Sequence, residues 1–310
     1  MKEQNEAPDR LTHKSIRAIQ QELNDYKATL GNTKARLRGP SFHRELQSYI
    51  NYISILSNDP RYKSHPLMKL GSKLAVYEIA KNAGVETPTV YGEWNNISDV
   101  DFSVIPDEFV LKSDGGSTSQ GVLPLRRVSP DVYIRADGLK EFTQDEIVDH
   151  MLEAERKGVA YGRIFVEEFL HPAQGCNTIP DDVKIYMAYD QVLHVLLRSV
   201  DSHGNVYGNR SKYVDEHGEC LGVVNRGRTP DLSIPVPSSL PEMVSIAKRV
   251  SKSLRLPFVR VDLYDTTRGV VLGELTRAPG GEQKYILEHD QRMGRGWLVG
   301  SANLWLDQNS

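Results

Sequence analysis

The stretch FVRVDLYDTTRGVVLGELTRAPGG, Phe258 to Gly281, decides how this 310-residue sequence is read. Two runs of alternating polarity, Phe258 to Tyr264 and Val270 to Thr276, flank the polar Asp265-Thr266-Thr267-Arg268-Gly269. That is the pattern of a β-hairpin. Side chains alternate faces along a strand, so Phe258, Arg260, Asp262 and Tyr264 share one face, and Val270, Leu272, Glu274 and Thr276 share a face of the second strand. With a five-residue turn, Tyr264 pairs with Val270 and Arg260 lies opposite Glu274. Asp262 then sits diagonal to Glu274, about 7–8 Å away at the backbone, so both carboxylates can reach one cation. Two carboxylates and an arginine on stiff strands, followed at once by Pro279-Gly280-Gly281, suit a metal–phosphate site. A cross-strand salt bridge on a solvated face is the competing reading, and spacing alone does not choose.

Composition narrows the field. At 310 residues the chain holds one large domain or two modest ones. Its 39% apolar and 25% charged shares are those of a soluble globular protein. A net charge of −3 gives no reason to expect nucleic acid or an acidic membrane as partner. No apolar run approaches the length of a membrane span, and the opening MKEQNEAPDRLTHK has no apolar signal core. Cys176 and Cys220 fit no metal-ligand or redox spacing, so a reducing, cytoplasmic location is expected.

In chain order, Lys14 to Leu30 reads as a helix closed by Gly31, with Ile16, Ile19, Leu23 and Tyr26 at helical spacing. Phe42 to Leu56 reads as a second, capped by Ser41, with Phe42, Leu46, Ile50 and Ile53 on one face. Between them Lys34 to Arg38 reads as a solvated turn. Packing is the expected role of both helices, ahead of a subunit contact. Ser72-Lys73 opens a third helix ending at Gly84. Glu108 to Lys112 is a short strand, Ser113 to Gly121 a small-residue loop, and Val122 to Leu125 the return strand. A lysine leading into such a loop can fold backbone N–H groups over phosphates, although no GxxxxGK[ST] motif exists and a plain hairpin turn reads equally well. Thr143 to Lys157 is an amphipathic helix, and Ile164 to Leu170 a strand. Val183 to Tyr189 and Val192 to Val200 are paired strands joined at Asp190-Gln191. Residues 201–236 are turn-rich and expected to add little core. Ser239 and Glu242, with Pro241 in the first turn, start a helix to Leu254 that feeds the hairpin.

These elements, in this order, resemble the ATP-grasp superfamily, and within it the TupA-like branch associated with teichuronopeptide and polysaccharide biosynthesis. The resemblance spans Asp59 to Asp290. It rests on Asp59-Pro60-Arg61-Tyr62, SKLAVYEIAKNAG at 72–84, PDEFVLKSDGGST at 106–118, FVEEFL at 165–170, DDVKIYM at 181–187, and PFVRVDLY and GELTRAPG at 257–264 and 273–280. It implies an α+β fold in which two lobes clasp ATP: a helical extension over 1–68, then an ATP-grasp domain over 69–310, with lobes at about 69–164 and 171–310 and a hinge at 165–170. By resemblance, Lys73 and Lys112 contact phosphates. Ser113, Gly115, Gly116 and Ser117 belong to the loop that closes over them. Glu167, Glu168, Phe169 and Leu170 form the hinge that reads the adenine edge. Lys184 matches the branch's Asp-Tyr-Lys lysine, with Val183 in place of the tyrosine. Asp262, Glu274 and Thr276 match the metal ligands, Thr276 standing where most ATP-grasp ligases have asparagine. Arg260 would neutralise the reacting phosphoryl group, Gly280 would face the reacting carboxylate, and Arg277 would hold a second carboxylate.

The resemblance implies ATP and one or two Mg2+ ions, with Mn2+ an acceptable substitute. It implies a carbon–nitrogen ligase that makes ADP and an acyl phosphate, joining a small carboxylate to an amine, with an amino acid, peptide or sugar acid among the substrates. A homodimer is compatible with it. Phosphorylation of a hydroxyl, or nucleotide binding without turnover, are the other readings. His171, His203 and His289 are free candidates for a general base, with nothing to select among them.

Overall fold

The computed structural model describes residues 13–116, 121–174, 179–199, 210–280 and 283–309. The chain opens with helices α1 (His13–Arg38), α2 (Phe42–Ser57), α3 (Pro66–Lys69) and α4 (Lys73–Asn82). It then builds a first sheet from β1 (Val90–Trp94), β2 (Glu108–Gly116), β3 (Val122–Ser129), β4 (Val132–Arg135) and β5 (Glu141–Thr143). After helix α5 (Gln144–Arg156), strand β6 (Ala160–Glu168) inserts between β1 and β2, giving the antiparallel order β1-β6-β2-β3-β4-β5. A Thr143–Glu146 capping box starts α5, whose Ile147 and Met151 are buried in this sheet's own core.

A second six-stranded sheet follows: β7 (Asp182–Ala188), β8 (Gln191–Ser199), β9 (Arg210–Val214), β10 (Thr229–Pro230), β11 (Val259–Thr266) and β12 (Gly269–Thr276). Helix α6 (Leu240–Leu254) enters between β10 and β11, and α7 (Leu287–Gln308) follows β12. The order is β10-β9-β8-β7-β11-β12, so the hairpin forms one edge. Helix α6 packs against β7, β8 and β11 and buries Met243, Ala247, Val250 and Leu254. Helices α2 and α7 pack together, and Phe42, Tyr49, Phe258 and Trp297 meet there, the last two stacked at 4.9 Å. No described helix is long and apolar enough to cross a membrane.

Several boundaries differ from expectation. Helix α1 runs through Gly31 to Arg38, so the basic cluster is its last turns rather than a separate turn. In α2 the buried face carries Tyr49 while Ile50 is 36% exposed. Ser239 makes no side-chain cap bond, and α6 begins without one. Within 201–236, only 210–236 is described, and there Tyr213, Val214, Val224 and Ile234 are core residues. Helix α7 was not expected. Its Gly294 and Gly300 explain both its weak signal and its position: a Cβ on Gly294 would lie 2.3 Å from the Ser41 nitrogen, and one on Gly300 would lie 2.0 Å from the Ala188 carbonyl oxygen. Glycine costs helix propensity and allows close backbone approach.

Candidate functional site

The hairpin is tighter than its sequence suggests. Thr266 pairs with Gly269, leaving a two-residue turn, and Gly269 has φ +100°. A register shift after Asp262 leaves Gly273 unmatched, because Leu263 pairs with Leu272 and Asp262 with Glu274. The two carboxylates are therefore direct cross-strand neighbours, and Arg260 lies opposite Thr276 rather than Glu274. Leu272 falls on the face of Leu263 instead of that of Glu274. Glycine is required at the unmatched position: a Cβ on Gly273 would lie 2.2 Å from the Tyr264 ring.

Pairing with β7 and β8 extends this face into three rows. The central row runs Leu196, Lys184, Asp262, Glu274. On one side lie His194, Tyr186, Arg260 and Thr276, and on the other Arg198, Asp182 and Tyr264. Asp262 is 1% exposed. It accepts from Arg260 through both oxygens, Nε to Oδ1 at 2.6 Å and Nη2 to Oδ2 at 2.7 Å, and Lys184 also bonds to Oδ2. Arg260 Nη2 donates to Thr276 Oγ1 at 2.9 Å, and Lys184 reaches Asp182 at 2.6 Å. Burial pushes the Asp262 carboxyl up, but Arg260 and Lys184 prevail and hold it at about 2. Glu274 is exposed and makes no ion pair among the described residues. One carboxylate is thus locked by cations while its neighbour stands open.

Helix α4 carries cations to this face. It packs against both β12 and β2, bridging the sheets. Asp114 of β2 accepts from Ser72 Oγ and from the Leu74 N–H, both at 2.9 Å, fastening the start of α4. Lys73 donates to the carbonyls of Ser113 (2.9 Å) and Asp114 (3.4 Å). Burial, followed by the neighbouring charge of Lys112, draws the Lys73 ammonium below its ordinary value, and Glu274, Asp114 and Glu167 work against that shift. An anion between the two lysines would relieve their repulsion. Lys112 bonds to buried Glu167, whose other oxygen accepts from Tyr77 at 2.6 Å. Glu168 accepts from the Thr89 N–H (3.0 Å) and pairs with Arg268 (2.9 Å). The side chains of Glu167 and Glu168 are thereby engaged with protein partners, leaving backbone groups of 167–170 for any adenine contact. Phe169 is buried beneath the Arg126 guanidinium, and Leu170 is buried beside it.

The small-residue loop is described up to Gly116 and again from Gly121, and Ser117 lies outside the described residues. Ser113 turns inward, 1% exposed, and donates to the Gly115 carbonyl at 2.8 Å. A Cβ on Gly115 would lie 2.1 Å from the Tyr161 ring, and one on Gly116, at φ +123°, would lie 2.3 Å from the Val159 carbonyl oxygen. These glycines have a packing reason to be present, whatever the loop binds. Gly116→Ala is expected to cost about 1–3 kcal/mol, from a left-handed backbone combined with a clash against main chain. Chemical denaturation measures it, and an unchanged midpoint would show that the loop base relaxes freely.

At the other end, Arg277 is half-buried and Gly280 exposed, with no atom within 4 Å of a Cβ placed there. His289 is buried 3.0 Å from His194 and is lowered to about 4 by burial and then Arg292. It stays neutral within an aromatic cluster that includes Tyr213 and Tyr285. His171 sits against Glu108 at 3.0 Å, and His203 lies outside the described residues. Asp114, Tyr77, Asp182 and Tyr264 were not nominated from sequence. Tyr264 alone had a signal, its place on the face of Asp262. Among the described residues no three His, Cys, Asp or Glu side chains form a metal cage. Two adjacent carboxylates and a hydroxyl nevertheless suit a hard cation that takes its remaining ligands from phosphate and water, as Mg2+ does.

A family model described as TupA-like ATPgrasp matches residues 52–297. No curated protein gives a match to the chain. Among solved structures, D-alanine–D-alanine ligase from Bacillus anthracis is 16% identical, with TM-score 0.46, covering 77% of this chain and 69% of that one. The L-amino acid ligase from Bacillus licheniformis is 13% identical, with TM-score 0.43 and coverages of 69% and 42%. The ATP-grasp ligase PsnB, complexed with a phosphomimetic variant of its minimal precursor, Mg and ADP, is 16% identical, with TM-score 0.42 and coverages of 79% and 62%.

Proposed function

The chain belongs to the TupA-like ATP-grasp family, and from that premise we propose that it is an ATP-dependent carboxylate–amine ligase working through an acyl phosphate. The observation that carries this reading is the charge arrangement between the sheets. Lys73 and Lys112 stand close enough to lower the Lys73 pKa, and the Arg260–Asp262–Lys184 cluster lies beside the open carboxylate of Glu274. Transfer of a phosphoryl group to a carboxylate needs charge neutralisation and alignment more than covalent help. Lys73 and Lys112 would hold the phosphates, with Ser113 to Ser117 as the loop above them and 167–170 beside the adenine. Glu274 would be the principal Mg2+ ligand, supported by Asp262 and Thr276. The cation would neutralise phosphate oxygens and orient them. Arg260, fixed by Asp262, would face the developing acyl phosphate and Gly280 the reacting carboxylate, with Arg277 holding a second carboxylate. In this reading residues 1–68 are an extension, 69–164 and 171–310 form the lobes, and 165–170 is the hinge between them.

In the reaction, a carboxylate oxygen of the acid attacks the γ-phosphorus and ADP leaves. The amine then attacks the acyl carbon, losing a proton, and inorganic phosphate leaves with the original carboxylate oxygen. The acid would be an amino acid, peptide or sugar acid. A panel of acid–amine pairs scored by phosphate release finds the substrates. The acid is then prepared with ¹⁸O in its carboxylate, and label is expected in the released phosphate by mass spectrometry. Unlabelled phosphate, or a phosphorylated product with no phosphate released, would replace the ligase by a kinase on the same fold.

A further inference from the structure

Helix α1 is anomalous in this molecule. Residues 17–34 are exposed throughout, and contact with the body is confined to α7 near the C-terminal end, where Gly39 abuts Gln291. A 26-residue helix extends about 39 Å, and most helical stability in water comes from packing an apolar face rather than from propensity. Helix α1 has such a face and nothing in the protomer to cover it. Ile19, Leu23, Tyr26 and Leu30 are 55%, 49%, 66% and 43% exposed. Their spacing of four, three and four residues is the a/d seam of a heptad repeat, narrower than the stripe of a helix that packs on a globular core.

We propose that α1 pairs with α1 of a second copy of this chain in a parallel two-stranded coiled coil. The flanking charges select this occupant. With Leu23 and Leu30 at a and Ile19 and Tyr26 at d, Glu22 occupies a g position and Lys27 and Lys34 occupy e positions. In a parallel homodimer g faces the following e of the partner, so Glu22 meets Lys27 of the second copy, twice by symmetry. An antiparallel pair sets e against e and brings lysines together. Asp25 and Gln21 lie away from the seam and bond to each other at 3.0 Å. The inference is independent of the ligase reading, because no residue of α1 belongs to the candidate site.

Sedimentation of the full chain tests it. At tens of micromolar a dimer, twice 34.9 kDa, is expected, dissociating on dilution. Leu23→Glu should raise the dissociation constant at least about 100-fold, leaving a monomer whose body melts normally. Glu22→Lys and Lys27→Glu should each weaken the dimer about tenfold, since two attractions become two repulsions. The double exchange should return to within about threefold of wild type. A wild-type monomer overturns the proposal, including one that instead binds anionic phosphatidylserine vesicles. So does a dimer indifferent to Leu23→Glu, or a double exchange no better than its single parents.

Discussion

Asp262→Asn is expected to lower the melting temperature by about 5–15 °C and to abolish turnover. The side chain is 1% exposed and receives two bonds from Arg260 and one from Lys184. Asparagine keeps the shape but removes the charge, leaving a guanidinium and an ammonium facing each other without their counter-ion. Breaking a buried pair in this way costs about 3–5 kcal/mol, which for a chain of this length is a shift of that size in melting temperature. The pH dependence has a definite sign. The folded carboxyl is held at about 2, below its ordinary 3.8, so the unfolded chain binds the proton first as pH falls. The carboxylate's contribution is therefore present above about pH 4 and is lost between there and about pH 2. Thermal melts of both proteins across that window should show a gap that closes toward the acid end. A variant melting within 1 °C of wild type at pH 7 would mean that Arg260 and Lys184 find other partners and that Asp262 does not hold them.

How far the sequence could be read depended on what each position had to satisfy. The alternation of Phe258 to Tyr264 and Val270 to Thr276 exposed the hairpin, because a half-buried strand writes a period of two. Its register was not legible. A turn of five polar residues reads the same whether all five form the loop or only Thr267 and Arg268 do. A β-bulge at Gly273 leaves no mark except a glycine, which has many other uses. The family motifs located Lys73, Lys112, Lys184, Asp262 and Glu274. They did not show that Asp262 is saturated by cations while Glu274 is open, because that depends on β7 lying against β11 and α4 crossing from one sheet to the other. Tyr77 and Asp114 escaped notice for the same reason: their roles exist only through partners 90 and 42 residues away. Helix α7 was hidden by the glycines that let it touch Ser41 and Ala188.

The saturation of Asp262 leads to the sharpest expectation for catalysis. Glu274→Gln should leave the melting temperature almost unchanged and reduce turnover by about 100-fold or more. Stability is indifferent because Glu274 is exposed and holds no ion pair among the described residues, and such substitutions stay within about ±0.5 kcal/mol. Turnover is not, because the neighbouring carboxylate already shares its charge with Arg260 and Lys184 and attracts a further cation weakly. Glu274 would supply most of the negative charge that recruits Mg2+ to the phosphates, a function worth several kcal/mol in metal-assisted transfer. The loss should be partly recovered by raising Mg2+, because binding of the ion is what weakens, whereas Asp262→Asn should not respond to added metal. Measuring turnover against Mg2+ for both variants, beside their melts, separates the two carboxylates. Wild-type turnover in Glu274→Gln would remove the metal assignment from this hairpin. A large melting loss in that variant would make Glu274 a structural partner of Lys73 instead, the direction in which Lys73 and Glu274 already attract one another.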